Sequence, residues 1–471
     1  FNTKKIIYNK VPSIFFIASS TELEDILPTS TIIKEELSFE YLLENKLSKR
    51  NFISNSNLEN WKDNFTIQEA EKKAVLRVLD SGYLSLFEGS HTPDYPFKFT
   101  GGPEVMALEE EWCRFYNIKY SVSMNSATSG LFASIGALEI GFGDEVIVYP
   151  FTMIACAMAP QIYGAKPVFA DIEIETGCLE PSSIERLVTK KTKAILIVHQ
   201  FGFPANMDEI MKIAKKYDLK VIEDCAQAHG ATYKNKYVGT FGDIGIFSLN
   251  VNKTIQSGEG AVCVTSNKEL EYRLQLIRNH GEAVVGPAKY ENITNIAGFN
   301  YRMTEVTAAI AREQLKKLND LNDYRLELVA VFRDKLAQFD FLRVLKGRTE
   351  KNIDTNPTFY VVPIRFFRNK AGISREKFVE AINADGALFS QGYTKPLYYQ
   401  PVYQKKRLFK NGYPFSAKEN IDSNFNYFEG SCPNAETLHF EQIIINEHIR
   451  PPQNKEDIND LINIIEKICL N

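Results

Sequence analysis

The chain lacks most of the sequence features that identify metal sites and disulfide frameworks. Its seven cysteines are an odd number in 471 residues, and no two of them form a C-x-x-C pair. The six histidines include no H-E-x-x-H arrangement. A zinc ribbon, a zinc protease and a disulfide-stapled scaffold are therefore disfavoured. We expect no bound metal, and reduced, mostly buried thiols in a cytoplasmic protein.

Net charge and long apolar runs are also scarce. A formal charge of -4 over 471 residues gives no argument for nucleic acid or a membrane surface as a partner. No stretch approaches the roughly 20 apolar residues of a membrane helix. The apolar run over residues 11–20 follows three lysines and has two interpretations, a weak signal peptide or a buried strand. Pro12 and the missing A-x-A site favour the strand.

Composition and texture divide the chain into three parts. Residues 1–62 carry polar patches and are interpreted as an N-terminal extension of unknown role. In residues 63–335, short apolar runs alternate with helical patterns, which predicts a large α/β domain with a mainly parallel sheet wrapped by helices. The sequence pattern changes after residue 335, and the strands and helices predicted in residues 336–471 indicate a smaller C-terminal α+β domain.

Periodicity and end signals place the individual elements. The predicted strands are 145–149, 167–170, 194–198, 219–222, 244–247, 261–264, 359–364 and 443–445. The predicted helices are 66–81 (capped by Thr66), 103–116, 129–138, 207–217, 301–336, 374–384 and 455–469. Residues 405–434 have no periodicity and predict a long loop near the functional site.

Three short segments together carry the chemistry that pyridoxal phosphate (PLP) needs. Asp224 follows a predicted strand, Lys253 lies five residues after Ser248, and small hydroxyl residues at 125–130 precede a predicted helix. PLP requires an amine for its Schiff base, an acid to keep its pyridine nitrogen protonated and donors for its phosphate. Taken singly, each has an ordinary alternative: a helix cap, a capping Asp or a solvated Lys.

Together these segments resemble the DegT/StrS-type nucleotide-sugar aminotransferases, which are PLP enzymes of fold type I. The matching stretches are 101–105, 125–131, 143–148, 221–230, 239–260 and 298–305. The resemblance is strong over residues 65–340 and weaker beyond. It implies transfer of an amino group from an amino acid, L-glutamate by resemblance, to a keto sugar carried on a nucleotide, in amino-sugar and surface-polysaccharide biosynthesis.

The resemblance also implies roles for particular residues. Lys253 would form the Schiff base with PLP and shuttle the proton, and Asp224 would hold the pyridine nitrogen. Gln227 would contact the 3-hydroxyl side of the ring. The phosphate would be bound by Ser126, Ala127 and Ser248, and by Asn300 of a second copy, so a homodimer with shared active sites is implied.

The chain departs from the family pattern where an aromatic side chain usually covers the PLP ring. Met153 occupies that position, so either its thioether packs on the ring or Phe151 moves in. Three further residues are candidates for substrate contact. They are His280, Tyr398 and Tyr399; a structural role for the histidine and a dimer interface for the tyrosines remain open.

Competing functions differ in the chemistry at Lys253. Other PLP reactions, and acceptors such as a cyclitol or a small keto phosphate, would use the same residues. Related sugar dehydratases replace the lysine with histidine, and Lys253 argues against that reaction. A PLP-binding regulatory protein without turnover would still bind the cofactor but would not respond to amino donors.

Overall fold

The computed structural model describes residues 66–88, 99–286, 289–347, 355–421 and 427–469. The predicted N-terminal extension, with its apolar run over residues 11–20, lies outside the described residues. Within the described ranges, every helix is too short or too polar to span a bilayer.

The strands, numbered in chain order, build three sheets. They are β1 (Tyr120–Met124), β2 (Glu145–Val148), β3 (Lys166–Phe169), β4 (Thr192–Val198), β5 (Lys220–Asp224), β6 (Thr232–Tyr233), β7 (Lys236–Tyr237), β8 (Ile244–Ser248), β9 (Ala261–Thr265), β10 (Leu342–Val344), β11 (Thr355–Asn356), β12 (Val362–Phe366), β13 (Phe389–Gln391) and β14 (Ile443–Asn446).

Helices cover and connect these strands. They are α1 (Glu69–Ser81), α2 (Pro103–Tyr116), α3 (Ala127–Ala137), α4 (Ala155–Ile162), α5 (Pro181–Leu187), α6 (Met207–Tyr217), α7 (Lys268–Arg278), α8 (Glu282–Val285), α9 (Glu305–Lys316), α10 (Leu318–Leu336), α11 (Arg368–Ala371), α12 (Arg375–Ala384), α13 (Pro401–Gln404), α14 (Pro433–Thr437) and α15 (Lys455–Cys469).

Seven strands form the large sheet, in the order β1-β9-β8-β5-β4-β2-β3. Strands β8, β5, β4, β2 and β3 pair in parallel, and β9 runs antiparallel to both β1 and β8. Strand β1 therefore points the same way as β8. The carboxyl ends of β1, β8, β5, β4 and β2 consequently share one edge of the sheet, called the C-edge below. The predicted mainly parallel sheet is confirmed.

A second sheet uses only residues beyond Leu342. Its order is β10-β12-β14-β13, and every pair is antiparallel. Strands β12 and β14 are buried throughout, and α12 packs against β13 and α15 as in a small α+β unit. A third small sheet pairs β11 with β6, so the two halves of the chain are joined at that point. The domain boundary at 335/336 stays a prediction.

Two sequence expectations about elements need correction. The helix predicted over 301–336 is two helices, α9 and α10, that meet at Lys317. Thr66 does not cap α1; Gln68 does, in a capping box with Glu71. The segment 405–434 runs along β3: Asn420 bonds Gly143 and Gly164 in the turns before β2 and β3, whereas Asn434 bonds Asp171 and Ile172 just beyond the carboxyl end of β3. Its nearness to the functional site stays a prediction.

Candidate active site

Asp224 is the last residue of β5 and lies buried at the C-edge. Its Oδ1 accepts a hydrogen bond from the Ala226 amide at 2.9 Å, and its Oδ2 accepts one from Cys156 Sγ at 3.1 Å. Burial, and then the Asp224 charge, raise the pKa of the Cys156 thiol well above its usual value, so the sulfur keeps its proton. Each carboxylate oxygen has a second lone pair, so Asp224 can accept one more donor.

A group of donors suited to an anion lies beside Asp224 at the same edge. Ser126 caps α3, and its Oγ accepts a hydrogen bond from the Ser129 amide at 3.1 Å. The amides of Ala127 and Thr128 are the first two of the helix and have no acceptor within it. Ser248 ends β8, the strand next to β5. Ser126 can therefore cap α3 and line an anion site at the same time.

The turn between β8 and β9 carries Lys253 along the C-edge. Backbone hydrogen bonds close it from Leu249 to Gly260 at 2.8 Å, from Val251 to Gly258 at 2.9 Å and from Lys253 to Asn250 at 2.9 Å. Gly258 and Gly260 have φ of 83° and 149°, a region that side chains disfavour. The predicted glycine turn is confirmed.

The amine of Lys253 lies beside an aromatic ring. Its Nζ lies 4.4 Å from the ring centroid of Tyr360. Burial lowers the pKa of His229 to about 3, and the Lys253 charge adds to that shift. The Lys253 charge also acts on Cys156. His229 is bonded to the backbone at Ser248, and Cys156 is bonded to Asp224, so the Lys253 charge acts on groups next to both of these site residues.

Gln227 is held by two partners on opposite sides. Its Oε1 accepts a hydrogen bond from the Phe201 amide at 2.7 Å, and its Nε2 donates to the hydroxyl of Tyr393 at 3.0 Å. One amide hydrogen of Gln227 stays available for a further acceptor. Burial raises the pKa of Tyr393 well above its usual value, so the hydroxyl stays neutral.

Of the two candidates for covering a cofactor ring, the structure favours Met153. Phe151 is fully buried in an aromatic cluster, with ring centroids 5.8 Å from Tyr393 and 5.6 Å from His439. Met153 directly precedes the first turn of α4 and is 57% exposed at the C-edge. The thioether is therefore placed to pack on a bound ring, whereas Phe151 would have to leave its cluster.

Asn300 lies next to Asn125, in the segment predicted to bind the phosphate, and His280 bonds the neighbouring Phe299. The Asn300 carbonyl accepts a hydrogen bond from Asn125 Nδ2 at 3.3 Å, and its Oδ1 accepts one from Arg302 Nε at 2.9 Å. Asn300 is exposed, as its predicted role across an interface requires. His280 is half-buried, has a φ of 54° and donates its amide to the Phe299 carbonyl. Both roles stay predictions.

Tyr398 and Tyr399 have different surroundings. Tyr398 is fully buried, and its hydroxyl bonds Glu436, so this geometry does not favour a substrate contact. Tyr399 is half-buried, with the Nζ of Lys395 at 4.9 Å from its ring centroid. Burial raises the pKa of Tyr399 to about 12. Substrate contact at either tyrosine stays a prediction.

One cluster of potential metal ligands is better explained by hydrogen bonding. His199, Glu223 and Cys225 are buried within one group. Both carboxylate oxygens of Glu223 are already used, by the amides of Gly239, Phe241 and Gly242 and by His199 Nε2 at 3.0 Å. The other nitrogen of His199 accepts from the Ala205 amide. These bonds brace the turn after β7 and already use the carboxylate and imidazole atoms of the cluster.

The donor set of the C-edge fits PLP. A dianionic phosphate matches free helix amides and two serine hydroxyls. A protonated pyridine matches the buried Asp224 carboxylate, which has lone pairs to spare. A primary amine, Lys253, lies in the turn that directly follows β8.

Sequence reasoning missed the residues that come from other parts of the chain. Cys156 lies in a helix that the sequence pattern did not reveal, and Tyr360 was taken only as part of a strand. His439 lies in a π-helix over Leu438–Gln442, and its Nδ1 accepts from the Tyr393 amide at 3.3 Å. Such π-turns often mark functional sites, but the sequence carries no turn signal there.

The chain is similar to proteins of known family over most of its length. The sequence profile of the DegT/DnrJ/EryC1/StrS aminotransferase family matches residues 97–422. Identity to GDP-perosamine synthase of Escherichia coli O157:H7 is 34% over 71% of this chain and 85% of the relative. Identity to the spore coat polysaccharide biosynthesis protein SpsC of Bacillus subtilis (strain 168) is 28% over 85% of this chain and 95% of the relative.

A solved structure agrees with the fold. The crystal structure of GDP-4-keto-6-deoxymannose-3-dehydratase with a trapped PLP–glutamate geminal diamine aligns at a TM-score of 0.69 and 26% identity. The alignment covers 86% of this chain and 99% of that chain. The predicted fold-type-I architecture is confirmed.

Proposed function

Because the chain belongs to the DegT/DnrJ/EryC1/StrS aminotransferase family, we propose that it transfers an amino group from L-glutamate to a nucleotide-linked keto sugar. The family makes it a PLP-dependent transaminase, as the sequence predicted. Similarity to GDP-perosamine synthase and to SpsC supports an amino sugar destined for a surface polysaccharide. The glutamate adduct in the related dehydratase structure supports L-glutamate as donor.

The observation that carries the proposal is the meeting of Lys253, Asp224 and the start of α3 at one edge of the sheet. Asp224 would hold the pyridine nitrogen in its protonated form, because a buried carboxylate stabilises a nearby cation. The amides of Ala127 and Thr128, with the hydroxyls of Ser126 and Ser248, would hold the phosphate. Bound PLP supplies an electron sink for the carbanion that forms on the amino donor.

Lys253 would serve as the general base of the reaction. Its Nζ lies 4.4 Å from the Tyr360 ring centroid, and its charge acts on Cys156, which donates to Asp224. Nζ would take the proton from the α-carbon of the amino donor and deliver it to the aldehyde carbon of the cofactor, and would move a proton in the opposite sense when the acceptor reacts. A positioned base of this kind contributes about 10²–10⁴ in rate. A histidine at this position could not form the Schiff base, which distinguishes this chain from the dehydratase pattern.

The acceptor would bind between the C-edge and the second sheet. Tyr393 reaches the site through Gln227, and Tyr399 with Lys395 offers an aromatic face and a cation beside it. A sugar ring packs on aromatic faces, and a diphosphate pairs with a cation. We keep Tyr399 as a substrate contact in the proposal and expect Tyr398 to support it from below, since their ring centroids lie 5.2 Å apart.

A homodimer with shared sites is part of the proposal. Asn300 is exposed beside Asn125, which directly precedes the phosphate-binding Ser126. A second copy placed against this surface would bring its own Asn300 towards the phosphate group. Sedimentation of the purified protein, compared with Asn300→Asp, tests this part; a fully active monomer would contradict it.

The direct test is the visible spectrum of the PLP-loaded protein before and after L-glutamate. We expect the band of bound PLP to shift as the cofactor takes up the amino group, and to return when a keto-sugar nucleotide is added. Lys253→Ala should abolish both changes. Lys268→Ala is the matched control, because that lysine is exposed on α7 and pairs with Glu271.

The outcomes separate the competing functions. A band that responds to glutamate but is restored only by a cyclitol or a small keto phosphate changes the acceptor. Release of water from the keto sugar without incorporation of nitrogen would show dehydration. A coloured protein whose spectrum does not change with any amino donor would indicate a regulatory PLP-binding protein. Turnover by Lys253→Ala would overturn the assignment of Lys253 as the general base.

A further inference from the structure

Arg325 is a buried cation to which none of the proposed roles gives a part. It lies on α10 and is 3% exposed. Its Nη1 donates two hydrogen bonds of 3.1 Å, to Thr254 Oγ1 and to the Phe359 carbonyl, and the Tyr360 carbonyl lies farther away at 3.5 Å. Among the described residues it forms no ion pair, and its Nε has no acceptor. Burial, with Arg450 as the next cause, lowers its pKa to about 9.

A buried guanidinium without a counter-charge is expensive. Removing a charge from water costs several kcal/mol unless it is paired or coordinated. Methionine or leucine on α10 would fill the same space without that penalty, because the helix buries an apolar stripe there. The two directed hydrogen bonds of Nη1 are therefore the property of Arg325 that an apolar residue could not supply.

Both acceptors of Arg325 are neighbours of residues that face each other across the site. Thr254 directly follows Lys253, and Phe359 directly precedes Tyr360. The Lys253 amine lies 4.4 Å from the Tyr360 ring centroid. One nitrogen thus joins the turn after β8 to the segment that leads into β12.

The segment that Arg325 holds is strained. Phe359 has a φ of 49° and the facing Phe201 a φ of 59°, conformations that cost roughly 1–2 kcal/mol for a residue with a Cβ. The amide of Tyr360 bonds the Phe201 carbonyl at 2.9 Å. Strained residues of this kind persist only where the surroundings fix them, and they cluster at functional sites.

We propose that Arg325 is a positioning residue that sets the Lys253 amine against Tyr360 by holding Thr254 and the Phe359 carbonyl at the same time. The inference rests on the proposed role of Lys253. A purely structural arginine would resemble Arg273, which is equally buried and donates to the carbonyls of Ala137 and Gly136 at the far end of α3.

The test uses the PLP-loaded protein and three variants: Arg325→Met, Thr254→Val and the control Arg273→Met. Thr254→Val removes one acceptor, keeps the shape and leaves Arg325 in place, so it is informative even if Arg325→Met folds poorly. We expect Arg325→Met and Thr254→Val to lower kcat by roughly tenfold to a hundredfold, with the KM for glutamate changed less than twofold. The visible circular dichroism of bound PLP should weaken in both, because it reports how the ring is seated, and should be unchanged in Arg273→Met.

The double variant Arg325→Met/Thr254→Val completes the design. If the two residues act as one tether, its kcat should equal that of Arg325→Met alone. Independent, multiplying losses would overturn the inference, and so would a Thr254→Val protein with normal kcat and dichroism. Lys253→Ala, measured alongside, separates the two claims. If Lys253→Ala keeps the half-reaction with glutamate, the proposed role of Lys253 is wrong. If Lys253→Ala is inactive and Thr254→Val is normal, only the positioning role of Arg325 is wrong.

Discussion

The two halves of the site are built in different ways. The sheet half, with Asp224, Ser248 and the Lys253 turn, uses the ends of adjacent strands and the turns directly after them. The second half brings Tyr360 and Tyr393 from segments beyond residue 355, and these reach the site only through tertiary packing. The sheet half therefore supplies the chemistry, and we expect the second half to set how well the groups are held and which acceptor fits.

Breaking the sheet half should have the largest effect. In Asp224→Asn the side chain keeps its shape but loses the charge that would pair with a protonated pyridine. Loss of one member of a buried charge pair costs about 3–5 kcal/mol, which corresponds to about 10²–10³-fold or more in kcat. Single-turnover reaction with glutamate measures it. Asp243→Asn is the control, because that carboxylate binds the Val221 amide near the opposite end of β5; an equal loss there would mean a stability effect.

Cutting the link between the halves should have a smaller effect. Tyr393→Phe leaves the Gln227 amide without the partner it has at 3.0 Å, and an unsatisfied buried donor costs about 1–3 kcal/mol. We expect a roughly tenfold lower kcat, measured in steady state with saturating glutamate. Tyr403→Phe is the matched control, because the Tyr403 hydroxyl is buried with no hydrogen-bond partner among the described residues. If the two variants behave alike, Tyr393 does not transmit anything to Gln227.

The difference between the halves also explains what the sequence could predict. Asp224, Ser126 and Ser248 follow strands or begin a helix, so short-range patterns place them at one edge once the sheet is known to be parallel. Lys253 is recognisable because Gly258 and Gly260 mark its turn. Local order is enough for these residues, since each depends on neighbours within about ten positions of the chain.

The remaining residues depend on packing that no local pattern encodes. Arg325 is one polar residue within a helical stripe, and its role follows only from Thr254 and Phe359, 71 and 34 residues away. The junction of α9 and α10 at Lys317 has neither Pro nor Gly, so the apolar repeat reads as one helix. Gln68 caps α1, although glutamine is a less common capping residue than threonine. Its reciprocal hydrogen bonds with Glu71 stabilise the helix start at this position.

Acid should destabilise the sheet half through His229. The pKa of His229 in the folded protein is about 3, chiefly because of burial, against about 6.5 in an unfolded chain. The unfolded state therefore takes up the proton first, so the stabilisation is complete above pH 6.5 and is lost as the pH falls towards 3. Between pH 7 and pH 5 the loss is roughly 2 kcal/mol.

Urea unfolding of the PLP-loaded protein at pH 7 and pH 5 checks this. His229→Asn should lose less stability between the two pH values than the unchanged protein does. The control is His280→Asn, which removes a half-buried histidine from a different part of the chain. An equal pH dependence in all three proteins would show that His229 is not the group responsible.

The smallest expected effect decides which half covers the cofactor ring. Packing between a thioether and an aromatic ring is worth about 0.3–1.5 kcal/mol, so Met153→Ala should release PLP only about two- to tenfold faster after dilution. Met153→Trp, which restores the aromatic residue usual in the family, should slow release by a similar factor. Ile154→Ala is the control, since it is the next residue and is 38% exposed. If Met153→Ala releases PLP no faster than Ile154→Ala, the residue that covers the cofactor ring does not come from the sheet half. Tyr360 is then the residue to substitute next, because its ring centroid lies 4.4 Å from the Lys253 amine.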